Sequence, residues 1–206
     1  MRWARATGLV TPDSCVLPIE KLQGVDPSLL AEPSRGEASR GEPSRAFAIK
    51  RFDRDGGDRI HQEDFAQALD LRPNQKYGEN SSGVIYDGLT RFVADLCGES
   101  ARDDFIARLA FVVASGNDDA HLKNWSFQWG HAHRPSLSPC HDLVATISWP
   151  DFGWAGAQPP RLALSLGIEK SLDEMDRRAL QKFARRTGFD GAVDVFMAAL
   201  QRARNA

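Results

Sequence analysis

The spacing of apolar residues changes along the chain, and the changes divide it into elements. Residues 1–8 close on Gly8 and predict the end of a helix. Residues 10–22 contain an extended stretch centred on Val16, Leu17, Pro18 and Ile19. Residues 46–52 alternate and predict a strand that pairs with the first one. The run Asp53-Arg54-Asp55-Gly56-Gly57-Asp58 predicts a turn. From about His61 the spacing becomes helical, with Phe65, Ala68 and Leu69 on one face. Ile85, Leu89, Phe92, Val93 and Leu96 stripe a second helix. Phe105, Ile106, Leu109, Val112 and Val113 stripe a third, over residues 103–114. Residues 125–129 alternate like a strand, residues 130–136 turn, and residues 137–140 return just before Asp142. Ser171 and Glu174 predict a capping box for a helix over residues 175–186 that Gly188 stops. Asp190 predicts the cap of a last helix, whose buried stripe is Val193, Phe196, Met197 and Leu200. The expected fold class is α+β, mainly α, with its strands at the N-terminal edge and in one hairpin.

Between the first two strands a five-residue repeat begins Glu32-Pro33-Ser34-Arg35-Gly36 and recurs through Ala46. Pro, Gly, Ser and paired charges cannot bury a core, so residues 31–45 predict a disordered, low-complexity hairpin tip. A chain of 206 residues, 42% hydrophobic and 26% charged, suits one globular domain. Within it, residues 1–52 form the edge of a second lobe and residues 53–206 a helical lobe. The formal net charge of −2 argues against nonspecific nucleic-acid binding. No apolar run reaches the length of a membrane span, and the N-terminus lacks the apolar segment of a signal peptide. Cys15, Cys97 and Cys140 show no CxxC spacing, so we read them as free thiols of a cytoplasmic protein.

The densest chemistry lies in residues 116–124, Gly-Asn-Asp-Asp-Ala-His-Leu-Lys-Asn. Asp119 and Asn124 are five residues apart, the spacing of the Asp and Asn in the protein-kinase catalytic loop. There the Asp receives the proton of the acceptor hydroxyl and the Asn holds a metal ion. The following hairpin predicts that Asp142 returns to the neighbourhood of Asn124 and Asp119. One carboxylate and one amide oxygen suit Mg²⁺, which keeps several waters. Lys123 adds positive charge for phosphate. The plainer alternative is that Asp119, His121 and Lys123 cap and solvate a loop.

These residues resemble the C-terminal part of the HipA family of kinase toxins, which belong to type II toxin–antitoxin systems. The resemblance is carried by Arg51-Phe52-Asp53-Arg54, the stretch from Arg59 through Gln62-Glu63-Asp64-Phe65 to Leu69, Lys76-Tyr77, residues 116–127, and Leu137-Ser138-Pro139-Cys140-His141-Asp142-Leu143. It implies a protein-kinase-like C-lobe that uses ATP and Mg²⁺ to phosphorylate a serine or threonine of a protein substrate. Asp119 would be the catalytic Asp, and Asn124 and Asp142 the magnesium ligands. Lys123 and His121 would lie beside the transferred phosphate. Backbone groups of Ile49, Lys50, Arg51 and Phe52 would meet the adenine. Relatives usually carry Glu where Lys50 stands. An antitoxin would restrain the enzyme.

Family members place a Gly-rich phosphate loop and an ATP-binding Lys ahead of the segment where this sequence begins, and no GxGxxG or strand-borne Lys precedes residue 16. The expectation is a chain that needs a separately encoded N-terminal lobe, or a truncated relative that binds nucleotide weakly. A noncatalytic kinase-like module that binds an antitoxin or target protein is the alternative function.

Other patterns receive plainer readings. Asp151-Phe152-Gly153 matches the kinase DFG triplet, but Asp142 directly follows the return strand and takes the metal role instead. Asp53 to Asp58 resembles an EF-hand start without its bidentate Glu. His131, His133, Cys140 and His141 match no common zinc spacing. Trp125, Trp129, Trp149 and Trp154 are read as packing rather than a base-stacking platform. Cys140 is read as a buried structural thiol, and His61 as part of a helix N-terminus.

Overall fold

The computed structural model describes residues 1–24, 45–78, 83–130, 134–148 and 160–206. The repeat up to Ser44, His131, His133, Trp149, Trp154 and the Asp151-Phe152-Gly153 triplet lie outside the described residues. The chain forms two units, one of residues 12–51 and one of residues 1–11 with 52–206.

The smaller unit is a two-stranded antiparallel ribbon. Strand β1 (Ser14–Pro18) pairs with β2 (Arg45–Ile49), with Ser14 opposite Ile49 and Pro18 opposite Arg45. The pairing is the one the alternation predicts, although β2 stops at Ile49 rather than running to Phe52. The Lys50 N–H then donates to the Asp13 carbonyl at 2.8 Å. Val16 and Phe47, cross-strand partners, are both exposed.

The larger unit is mainly helical. Helix α1 (Arg2–Ala6) ends at Thr7 and Gly8, whose φ of +89° is a conformation glycine adopts without strain. The Trp3 indole N–H donates to the Ala203 carbonyl at 2.8 Å, tying this first helix to the last. A small hairpin, β3 (Arg54–Asp55) and β4 (Asp58–Arg59), turns at Gly56 and Gly57, both at positive φ. Next comes β5 (His61–Asp64), then a four-residue helix α2 (Phe65–Ala68).

Residues 61–64 correct the sequence expectation of a helix starting at His61. His-Gln-Glu-Asp has no apolar alternation to mark a strand. It becomes one by pairing along β6 (Ser126–Trp129), with His61 opposite Trp129 and Asp64 opposite Ser126. Asp64 then caps α2: its carboxylate accepts the Gln67 N–H while the Gln67 side chain accepts the Asp64 N–H.

Helices α3 (Tyr86–Cys97) and α4 (Glu99–Ser115) are separated by a break at Gly98. Residues 105–112 of α4 are all buried, so the helix is enclosed on every side. It packs against α3 and against α6 (Ala192–Asn205). Strand β7 (Ser136–Leu137) pairs with β6 and completes a three-stranded sheet. A further hairpin, β8 (Arg161–Leu166) and β9 (Glu169–Ser171), packs on α3 and on α5 (Arg177–Thr187). No element was expected over residues 155–170.

This β8–β9 hairpin also overturns the expected capping box at Ser171. Ser171 pairs with Arg161 at the strand end, and the Leu172 N–H donates to the Pro160 carbonyl. With that backbone already committed, α5 starts later and is capped by Asp176, which accepts the Ala179 N–H at 2.9 Å. Gly188 stops α5 in the left-handed conformation, as predicted. Helix α6 begins after Gly191 with no side-chain cap, so Asp190 does not hold the place expected of it.

The core centres on Phe65. Its ring lies 4.6 Å from that of Phe127, 5.8 Å from Phe105 and 6.3 Å from Phe92. Phe65→Ala is expected to cost about 3–5 kcal/mol, read as a shift in the denaturant midpoint; a change under ~1 kcal/mol would contradict this placement. In the first turn of α3, Asp87 is almost fully buried. Its Oδ2 accepts the Gly167 N–H at 2.8 Å, and Arg186 Nε lies 3.4 Å from its Oδ1. Burial pushes the carboxyl up from 3.8 to about 6, against the pull of the Gly167 N–H and of Arg186 and Arg91. The folded state therefore holds a proton that the unfolded chain releases. The associated stability is full below the ordinary value and is lost as pH rises through about 6. Asp87→Asn should flatten that slope in urea midpoints taken between about pH 4 and pH 7; an unchanged slope would assign it to another group.

Candidate active site

Helix α4 delivers the chain to the polar loop. It ends at Gly116, which is left-handed at φ +60°. A Cβ there would stand 2.6 Å from Ile147 Cγ2, so the position needs glycine for both its backbone and its neighbour. The next residues hold one another. The Asn117 side-chain oxygen accepts the Asp119 N–H at 3.1 Å. The Asp119 carbonyl accepts both the His121 N–H and Asn124 Nδ2, each at 2.7 Å. Leu122–Asn124 form a 3₁₀ turn that leads into β6. Underneath, the Tyr86 hydroxyl and the Trp125 indole N–H both donate to the Ala120 carbonyl. Burial raises the Tyr86 phenol far above its ordinary value, so it stays a donor.

The β6–β7 hairpin brings the chain back. Phe127 faces Leu137, and the Ser138 N–H donates to the Ser126 carbonyl at 2.9 Å. Four residues later Asp142 adopts φ +54°, an uncommon left-handed conformation for a residue with a side chain. Asn124 and Asp142 line one cavity together with Arg108, Asn117, Cys140 and His141. Past Asp142 the chain returns to Gly116. Thr146 Oγ1 donates to the Gly116 carbonyl at 2.8 Å and accepts the Asp118 N–H at 2.9 Å.

Asp119, His121, Asn124 and Asp142 are thus brought together. His121 Nε2 lies 3.8 Å from Asp119 Oδ1, too long for a hydrogen bond. Burial lowers the His121 pKa and Lys76 adds to the effect, while Asp119 and Asp142 oppose it. Burial raises the Asp118 carboxyl and the charge of Asp119 adds to the rise, against Thr146. Lys123 is exposed between buried Leu122 and half-buried Asn124. Phe52 sits beside the cavity: its ring lies 5.3 Å from that of His141, and its carbonyl accepts Gln128 Nε2 at 3.1 Å. Ile49, Lys50 and Arg51 belong to the ribbon unit and are exposed there.

The donor set around the cavity fits a hard divalent cation with few protein ligands. The Asn124 amide nitrogen is engaged by the Asp119 carbonyl, which leaves the amide oxygen as its acceptor end. Asp142 offers an exposed carboxylate. Among the described residues no group of three His, Cys, Asp or Glu converges, which a transition-metal cage would require and Mg²⁺ does not. Cys140 is buried, and burial pushes its thiol up to about 11, an inert rather than nucleophilic state.

Sequence reasoning gave no role to Arg108, Thr146 or Tyr77. Arg108 is buried, pairs with Asp104 at 2.6 Å and donates to the Ser138 carbonyl at 2.7 Å, bracing the return strand from inside the core. The Tyr77 hydroxyl donates to Asp119 Oδ1 at 2.7 Å.

Comparison with known proteins gives the fold a lineage. "Putative kinase Y4dM" of Sinorhizobium fredii (strain NBRC 101917 / NGR234) is 34% identical over 151 residues, 72% of this chain and 33% of that protein. "Putative kinase Y4mE" of the same strain is 32% identical over 149 residues, 69% of this chain and 34% of that protein. The chain spans about a third of the length of these curated relatives. HipA of Shewanella oneidensis MR-1, solved in a complex with HipB and operator DNA, matches all of this chain and 45% of its own, with a TM-score of 0.73 at 20% identity, a likeness of fold. Among the described residues no helix is long and apolar enough to cross a membrane. Residues 1–206 match the profile of the HipA-like C-terminal domain, and the chain belongs to that family.

Proposed function

We propose that this chain carries the proton-accepting and metal-holding part of a HipA-like serine/threonine protein kinase that transfers phosphate from Mg-ATP to a protein hydroxyl. The observation that carries this reading is the cavity shared by Asn124 and Asp142, with Asp119 tied to Asn124 through its own carbonyl. Asp119 takes the proton of the acceptor hydroxyl. Asn124 and Asp142 would hold the magnesium ion, which supplies charge compensation on the nucleotide phosphates. Exposed Lys123 and buried His121 would sit beside the transferred phosphate. A cytoplasmic toxin of a toxin–antitoxin pair, restrained by an antitoxin protein, is the corresponding biological role. The kinase names of the relatives support the activity, and the toxin–antitoxin complex of the Shewanella protein with HipB supports the role.

Transfer of labelled phosphate from ATP tests the proposal, with the chain alone and together with the product of the adjoining upstream reading frame. Asp119→Asn should lower the rate about a hundredfold or more while the thermal unfolding curve stays in place. Asp142→Asn should abolish the magnesium dependence together with the transfer. Full activity in either variant would contradict the assignment.

A further inference from the structure

The structure assigns Tyr77 as the positioning residue for the Asp119 carboxylate, a role that rests on the phosphotransfer reading above. A carboxylate that receives a proton from an incoming hydroxyl must present one oxygen at a fixed angle, and a half-exposed Asp side chain does not hold itself still. Here the Tyr77 phenol donates to Asp119 Oδ1 at 2.7 Å across 42 residues of chain, a charge-assisted bond. With Oδ1 occupied, Oδ2 is the oxygen that meets the acceptor.

The segment carrying Tyr77 is itself anchored. The 3₁₀ turn Pro73–Gln75 precedes it, and the Gln75 side chain accepts the Arg72 N–H at 2.9 Å. The Gly78 N–H donates to the Gln75 carbonyl at 3.0 Å. The Leu122 N–H of the polar loop donates to the Lys76 carbonyl, also at 3.0 Å. Gly78 lies at φ +66°, and a Cβ there would come within 2.7 Å of the Val84 carbonyl oxygen, so the strap is held close on that side too. The phenol ring meets His121 edge-on at 5.2 Å, and the Lys76 ammonium stands 4.8 Å above its face. The hydroxyl therefore sits on a short rigid strap that is hydrogen-bonded to the loop it orients. Tyr77 touches neither phosphate nor acceptor in this arrangement; it acts through Asp119.

The chain has two tyrosines, and the other, Tyr86, donates to the Ala120 carbonyl, so it serves as an internal control. The experiment compares wild type, Tyr77→Phe, Asp119→Asn and Asp119→Ala. Kinetics are read with the same phosphotransfer assay, and the ¹³Cζ signals of both tyrosines are read by NMR. Tyr77→Phe should lower kcat roughly tenfold or more, with KM for ATP unchanged within about twofold. In Asp119→Ala the Tyr77 ¹³Cζ signal should move while that of Tyr86 stays. An unchanged kcat in Tyr77→Phe, with Asp119→Asn inactive, overturns the positioning role and leaves phosphotransfer standing. Parallel changes in kcat and KM make Tyr77 merely structural and overturn it as well. No transfer by wild type, with the ¹³Cζ response intact, rejects the phosphotransfer reading and reduces Tyr77 to a clamp on a noncatalytic loop.

Discussion

The hydroxyl of Thr146 joins the two stretches of chain from which the site is made. It donates to the carbonyl of Gly116 and accepts the N–H of Asp118, so one side chain satisfies an acceptor and a donor at the mouth of the polar loop. Ile147 follows it into the space that Gly116 leaves by lacking a side chain. The segment after Asp142 is thereby fixed to the segment before Asp119. Between these fixed points run the 3₁₀ turn of Asn124 and the β6–β7 hairpin, and the two candidate metal ligands face one cavity.

The rest of the fold holds this arrangement from below. Eight consecutive buried residues of α4 make a pillar whose only cation, Arg108, is neutralised by Asp104 and bonded to the Ser138 carbonyl. The aromatic cluster around Phe65 packs β6 against α2, and the Tyr86 hydroxyl reaches up to the loop at Ala120. A polar loop of Asn, Asp, His and Lys has little intrinsic order; it takes one shape here because its backbone groups are bonded to side chains anchored in that core.

Much of this was legible in the sequence where the signal is local. The buried residues expected in α3 and α4, the glycine stop at Gly188, and the alternation of β6 each follow from residues within one or two turns of one another, whereas Met197, expected on the buried stripe of the last helix, is exposed because small residues, Ala192, Ala199 and Ala203, take up the buried face with Phe196. The return of Asp142 was legible too, because a short hairpin constrains its two ends. What was not legible depends on distant partners. Nothing in His61-Gln62-Glu63-Asp64 announces a strand until β6 lies beside it. Ser171 has the sequence of a helix cap but spends its backbone on β8. Tyr77 stood out in sequence only as part of a family-like stretch and Thr146 not at all, and only contacts made across 42 and 28 residues give them their roles.

The central claim is that Asn124 and Asp142 form one cation site beside Asp119. Anomalous diffraction from crystals grown with Mn²⁺ and a nucleotide tests it most directly. The account predicts a metal peak within ordinary ligand distance, about 2.0–2.3 Å, of the Asn124 side-chain oxygen and an Asp142 carboxylate oxygen, and its loss in Asp142→Ala. A peak held by other residues, with Asn124 and Asp142 turned to separate surfaces, would contradict it.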